Sequence, residues 1–454
     1  MAADLLTLLN KYDVPTPRYT SYPTVPYWED DSFSRAGWMQ SVKDSFKENN
    51  REVCLYIHLP FCESLCTFCG CNKRITKNHG VEDPYIKTLL KEWSLYLNEL
   101  GDKPVIREIH LGGGTPTFFS PDNLDYLLSE ILNSSEIAEE HEFSVEVHPN
   151  HTTEAHLETL AKLGFNRISI GVQDFDPTVQ FIINRMQTFE TTYEVVQQAR
   201  KHGYTSVNID LVYGLPKQDL ACVKNTIRLL EKIMPERIAF YSYAHVPWKS
   251  KGQRRYTEAD LPKAEDKWEM YEKGREMLTQ MGFEAIAMDH FALPQDELFK
   301  ASDKGVLNRN FMGYTTTQSK LIIGIGASSI SDTWGYFAQN IKEIEPYQEE
   351  VEKGNIPVFK GHELTEEDKI LRRHILDLMC RYETTLSPEV NDTQFLQDVF
   401  SKLTALADDG LVEVNNRHIK VTDKGKTFIR NIAATIDARL WRKKAEGNLF
   451  SKSV

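Results

Sequence analysis

Long apolar runs are missing from this sequence. No stretch reaches 18 consecutive apolar residues, so no hydrophobic helix of bilayer length is expected. The opening residues, MAADLLTLLNKYDVPTPRYT, contain no basic segment followed by an apolar core. That removes a secretory leader and points to a cytoplasmic protein. Positive charge is in deficit: 53 Lys and Arg stand against 66 Asp and Glu, a formal net charge of -13. Such a balance disfavours nucleic acid or an anionic membrane surface as a partner. Internal repeats and low-complexity segments are absent as well. What remains, 41% hydrophobic and 26% charged residues in a chain of 454, is ordinary for a globular protein of about three domains.

Cysteine is scarce, yet four of the seven fall within the ten residues CESLCTFCGC. A disulfide framework would use more cysteines and spread them. Cys54, Cys222 and Cys380 stand apart and are expected to pack as small core residues. In the cluster, three residues separate Cys62 from Cys66 and two separate Cys66 from Cys69. Thiolates are soft ligands, suited to iron–sulfur clusters and zinc. Structural zinc normally takes two separated cysteine pairs or a pair with histidines, and no second pair exists here. Three thiolates leave one iron of a 4Fe–4S cluster open, and an open metal position is where a substrate or cofactor binds.

From about residue 51, short β-branched runs alternate with amphipathic segments. The runs are 53–59, 106–113, 143–148, 167–173, 206–214 and 237–245. Apolar on both faces, they read as covered parallel strands of an α/β sheet. Periodicity leaves a closed or partial barrel and an open doubly wound sheet both possible. Ser120-Pro121 predicts a helix start and Gly164 a helix stop. Residues 1–50 are turn-rich and aromatic and read as an N-terminal extension. The sheet is expected over 51–345. Residues 346–454 read as helices plus one β-hairpin at DGLVEVNNRHIKVTDKGK, a winged-helix-like C-terminal domain.

Polar residues gather at the predicted strand ends, where barrel and sheet enzymes place their chemistry. The cysteine loop follows the first strand. GGGTP at 112–116 follows the second; glycines there let backbone N–H groups approach a ligand, although a tight turn needs them equally. Glu146, Gln173, Asp210 and Ala244 end the next four.

Further blocks are PRYTSYPT at 17–24, HLPFCESLCTFCGCN at 58–72, FNRISIGVQDFD at 165–176, NIDLVYGLPKQ at 208–218, YAHVP at 243–247, MDHFALP at 288–294 and RNFMGYTT at 309–316. In this order they resemble the oxygen-independent coproporphyrinogen III oxidase family of the radical S-adenosylmethionine superfamily. The resemblance implies a partial (β/α)6 TIM-like barrel, with an N-terminal extension that covers the substrate and a mainly helical C-terminal domain. It implies a 4Fe–4S cluster on Cys62, Cys66 and Cys69, with the open iron chelating S-adenosylmethionine. Two S-adenosylmethionine molecules are implied, at Tyr56, Phe68, Gly113, Gly114, Thr115, Glu146, Gln173, Arg185, Asp210, Ala244 and Ile330. The implied reaction belongs to haem biosynthesis. Two propionates of coproporphyrinogen III are oxidatively decarboxylated to the vinyls of protoporphyrinogen IX. Each decarboxylation begins when a 5′-deoxyadenosyl radical abstracts hydrogen from the β-carbon.

Cys71, Tyr56 and His58 are the candidate catalytic residues; Cys71 is a family mark and is not expected to bind iron. Arg18, Arg167, Arg309, His58 and His290 are candidates for the substrate carboxylates. A flavodoxin or ferredoxin is the expected kind of electron donor, and the chain is expected to act as a monomer. The sequence departs from the family pattern at His148-Pro149-Asn150, where Asp-Pro-Arg is usual, and at Asn308, where His is frequent. Two rivals remain. A haem-trafficking chaperone of the same superfamily would lack the YTSYP arm and a cysteine at position 71. An iron–sulfur or zinc module that only binds a partner would leave the strand-end polar residues incidental.

Overall fold

The computed structural model of the chain describes residues 2–29, 33–442 and 449–453. At its centre lies a twelve-stranded sheet. In chain order its strands are β1 (Glu52–Leu59), β2 (Val105–Gly113), β3 (Glu136–Val147), β4 (Phe165–Gln173), β5 (Ser206–Tyr213), β6 (Arg237–Ser242), β7 (Glu284–Ala287), β8 (His290–Ala292), β9 (Ile322–Ile325), β10 (Ile330–Asp332), β11 (Tyr336–Asn340) and β12 (Val358–Glu363). Across the sheet they run β12-β11-β10-β9-β1-β2-β3-β4-β5-β6-β8-β7. Strands β1 to β6 are parallel neighbours, and β9 joins them parallel on the other side of β1. The remaining strands pair antiparallel and extend both edges. The six parallel strands expected from the sequence are all present.

Consecutive residues Val53, Cys54 and Leu55 of β1 are all buried, as a strand covered on both faces requires. Helix Pro121–Asn133 lays Leu124, Leu127, Leu128 and Ile131 against the sheet at helical spacing. Each such side chain contributes roughly 1.5–3 kcal/mol on full burial. The predicted caps hold locally. Ser120 accepts from the Asn123 N–H, Pro121 opens that helix, and Gly164, at φ 93°, follows helix Glu154–Lys162.

The sheet continues past residue 345, where the sequence pattern placed its end. Strand β12 is an edge strand reading VFKGHE, with exposed and buried positions mixed, so its period-two signal is weak. A second core lies in the C-terminal part, between helices Glu366–Arg381 and Thr393–Asp408 and a small sheet of Glu383–Thr385, Val412–Asn415 and His418–Val421. Leu8, Leu9, Tyr19 and Tyr22 of the N-terminal arm are buried in this second core. Farther along the arm, Trp28 stacks on Phe337 of β11 at 5.3 Å. The arm thus links the second core to the edge of the sheet. Cys54 and Cys380 are buried as expected, whereas Cys222 is only half-buried, near the start of helix Leu220–Ile233. No described helix is long and apolar enough to cross a membrane.

Candidate active site

Parallel strands point their C-terminal ends at one rim, so the segments that follow β1 to β5 converge there. The cysteine loop is fixed at both ends, because Phe61–Cys62 pairs parallel with Arg74–Ile75. Between those ends, remote segments bind its backbone. The Thr67 N–H donates to the Ile183 carbonyl at 2.9 Å, and Asn184 Nδ2 to the Leu65 carbonyl at 2.8 Å. Ser250 Oγ donates to the Cys69 carbonyl at 3.2 Å, and Gln253 Nε2 to the Phe68 carbonyl at 3.1 Å.

Cys62, Cys66 and Cys69 line one cavity, together with Phe68, Gly113, Gly114, Thr115, Glu146, Gln173, Arg185 and Asp210. Thr115 Oγ1 donates to Cys62 Sγ and Arg185 Nη1 to Cys66 Sγ, each at 3.4 Å. Burial pushes the Cys62 thiol up to about 11, while a hydrogen bond from Cys71 lowers Cys69. Among the described residues, no three Cys, His, Asp or Glu groups converge closely enough to hold a single metal ion. Three thiols lining one cavity are a soft donor set of the kind an iron–sulfur cluster takes.

The strand-end residues are set by a few close contacts. Glu146 accepts from His110 Nε2 at 3.1 Å and from the Gly113 N–H at 3.4 Å. Burial opposes its ionisation, but the His110 hydrogen bond prevails and holds the carboxyl below its ordinary range. Asp210 is the reverse case. Burial and the nearby Glu146 charge raise it to about 6, against hydrogen bonds from Asn208 and Ser169. Two carboxyls on one cavity therefore differ in readiness to ionise. Gln173 sits at φ 68°, where the β4–β5 register shifts; such a bulge re-aims a side chain at a strand end. Arg185 donates from Nε (3.2 Å) and Nη2 (2.6 Å) to the Gly171 carbonyl. A Cβ at Gly171 would meet that guanidinium at 2.7 Å, so glycine is what admits it.

A second cavity lies beside the first, lined by Tyr56, His58, His110, Phe311, Met312 and Ile330. Cys71, Gly113 and Glu146 line both. Tyr56 donates to His58 Nδ1 at 3.0 Å, and His58 Nε2 donates to the Asn72 carbonyl at 3.0 Å. Both ring nitrogens of buried His58 are thus engaged. Ala244 stands apart from both walls, and its carbonyl accepts from Gln253 Nε2 at 3.3 Å.

Some substrate candidates lie elsewhere. Arg167 is near the start of β4, at the opposite end of the sheet, and pairs with Glu142 at 2.5 Å. It is part of an ion-pair network with Arg237 and Asp296, not of the site. The reason is its depth: third in a nine-residue strand, it lies six residues short of the rim and lines a cavity at the other end of the sheet. Arg18 and His290 both engage Asp289 at 2.7 Å, and Arg309 lies over the Tyr314 ring. Of the departures, His148 lines the first cavity, Asn150 donates to the Met186 carbonyl at 2.7 Å, and Asn308 to the Thr317 carbonyl at 3.2 Å. Sequence reasoning missed Gln253, which links Phe68 to Ala244, and Lys73, which donates to the Cys69 and Cys71 carbonyls. Gln253 follows no strand and carries no signal; Lys73 was signalled only by its place just after the fourth cysteine.

Comparison with known proteins agrees with this geometry. The Radical SAM superfamily model matches residues 56–230. The oxygen-independent coproporphyrinogen III oxidase of Escherichia coli is 37% identical over 454 residues, covering 99% of this chain and 98% of its own. That of Pseudomonas aeruginosa is 36% identical over 442 residues, 95% of each chain. A solved structure of coproporphyrinogen III oxidase from Escherichia coli, described as a radical SAM enzyme, superposes with a TM-score of 0.87 at 35% identity, covering 95% of this chain and 98% of that one. With thiols, strand-end carboxyls and full-length similarity in agreement, the chain belongs to the oxygen-independent coproporphyrinogen III oxidases, oxidoreductases of the radical SAM superfamily.

Proposed function

We propose that this enzyme decarboxylates two propionates of coproporphyrinogen III to vinyl groups and uses two molecules of S-adenosylmethionine to do so. The observation that carries the reading is the pair of cavities with a common wall at Cys71, Gly113 and Glu146. One holds the three thiols; the other is walled by Tyr56, Phe311 and Ile330 and has no thiol but Cys71.

The donor set fits a 4Fe–4S cluster: three cysteine thiols, with Thr115 and Arg185 placed to donate to two of the sulfurs. When bound, the cluster and S-adenosylmethionine supply the radical that removes hydrogen from the substrate. The chain's own residues do the rest. Glu146, held ionised by His110, accepts from a ribose hydroxyl or an ammonium group in either cavity. Asp210 and Gln173 face the first cavity and hold the polar end of its occupant. Arg185 keeps positive charge beside Cys66 and a ligand carboxylate. His58, with both nitrogens taken, is a positioning residue that orients Tyr56. Cys71 stands between the occupants of the two cavities. Arg18, His290 and Arg309 remain the cations for substrate propionates, and the N-terminal arm covers the substrate. The protein works in the cytoplasm as a monomer and takes electrons from a flavodoxin or ferredoxin.

Anaerobic turnover with coproporphyrinogen III tests this. Protoporphyrinogen IX should form through a monovinyl intermediate, with two methionines released per product. One methionine per product would remove the second cofactor molecule. Haem binding without any vinyl product would favour the chaperone reading. For Arg185→Ala we expect weaker S-adenosylmethionine binding with iron content retained.

A further inference from the structure

The cluster loop is flanked by an exposed apolar patch set in positive charge. Phe181 is 66% exposed, Met186 54% and Leu65 38%. Their segments adjoin: Leu65 is tied to Asn184 through its carbonyl, and Phe181 and Met186 bracket the stretch that supplies Arg185. Large apolar side chains so exposed mark an interaction surface when they are contiguous and rimmed by polar groups. Here the rim is cationic. Residues 249–255 read KSKGQRR, four cations and no carboxylate, in a chain whose net charge is -13. Arg254 Nε donates to the Pro247 carbonyl at 3.1 Å, leaving its charge without a carboxylate among the described ion pairs, and Arg255 lies over the Phe181 ring at 5.4 Å. This run also touches the cysteine loop itself, since Ser250 and Gln253 donate to the carbonyls of Cys69 and Phe68. On the other flank, Lys73 binds the Cys69 and Cys71 carbonyls.

We infer that the patch of Leu65, Phe181 and Met186, rimmed by Lys251, Arg254 and Arg255, is the docking surface for a small acidic protein that carries a one-electron centre. Charge complementarity selects the partner, because an acidic carrier is steered to this cationic rim and repelled by the rest of an acidic molecule. The apolar centre supplies the contact once charges have aligned the pair. One electron leaves the reduced carrier and enters the cluster behind the loop; no bond forms between the proteins and no group is transferred. The inference rests on the reading that the three cysteines hold the redox centre.

The test uses the reconstituted holoenzyme, a Lys251→Glu/Arg255→Glu double variant and Phe181→Ser, with an acidic flavodoxin as probe. Charge reversal should slow flavodoxin association about tenfold at low salt, and the difference should shrink at high salt. Phe181→Ser should weaken the affinity with little change in association rate. Bleaching of the cluster by reduced flavodoxin should slow in parallel, while turnover driven by dithionite stays at the wild-type rate. Lys300→Glu, at the opposite end of the sheet, should alter none of these. Unchanged flavodoxin kinetics in both patch variants, or no flavodoxin binding by the wild type, would overturn the inference. So would an equal loss with dithionite, which would assign the patch to substrate entry or to folding. Failure of the functional reading looks different: wild-type enzyme reduced by dithionite would then make no vinyl product.

Discussion

Gly113 provides the sharpest test of how the site is built. It sits at φ 116°, and a Cβ placed there would lie 2.6–3.0 Å from three ring atoms of His58. The ring cannot swing away at low cost, because Tyr56 and the Asn72 carbonyl hold its two nitrogens. Gly113→Ala therefore adds backbone strain of about 1–3 kcal/mol and disrupts two hydrogen bonds at about 1 kcal/mol each. The expected destabilisation is about 3–5 kcal/mol. Gly101→Ala is the matched control. It shares a positive φ, 72°, but a Cβ there meets nothing within 4 Å, so only about 1 kcal/mol of left-handed strain is expected. Denaturant unfolding of the apo-protein measures both, and S-adenosylmethionine binding by calorimetry reports the displaced Tyr56. Equal losses in the two variants, with unchanged binding, would refute the account: the glycine run would then be a turn and nothing more.

Other expectations follow from the same geometry. Replacing Cys66 with Ser should abolish the brown iron–sulfur chromophore, whereas Cys71→Ser should keep it; iron and sulfide analysis after anaerobic reconstitution distinguishes them. The Asp210 carboxyl is raised to about 6 from its ordinary 3.8, so the fold retains a proton that the unfolded chain releases. That deficit in stability is absent below the ordinary value, grows as pH rises between the two, and is complete above about pH 6. Asp210→Asn should therefore stabilise the apo-protein at about pH 7, leave it unchanged at about pH 4, and weaken S-adenosylmethionine binding. A pH series of melting curves with a binding titration checks all three. Glu142→Gln at the opposite end leaves Arg237, whose side chain is only 3% exposed, short of one carboxylate partner. Loss of a buried partner costs about 3 kcal/mol, and cofactor binding should not change.

Much of the fold was legible because covered parallel strands leave a trace: β1 to β6 each carry a short β-branched, mostly buried run, with helical segments and turns between them. Strand β12 left no such trace, since an edge strand buries only part of each face and reads as a polar stretch. That Cys62, Cys66, Cys69 and Cys71 share one loop was legible from their spacing, while the choice of the first three as ligands came from the family resemblance. Arg167 misled. Sequence shows which strand a residue is on, but its depth along the strand decides which end of the sheet it faces, and the register Ser144–Arg167–Ser206 puts it far from the rim. Gln253 and Ser250 were invisible because their hydrogen bonds reach carbonyls about 185 residues away. Carbonyls have no sequence signature, so a loop held through its backbone can be supported by any residue the fold brings near. The same property makes the support testable. Gln253→Leu removes donors to Phe68 and Ala244 without touching a thiol, so it should loosen S-adenosylmethionine binding while iron content stays at the wild-type level. Loss of iron in that variant would mean that Gln253 shapes the cysteine loop itself and not only the cofactor wall.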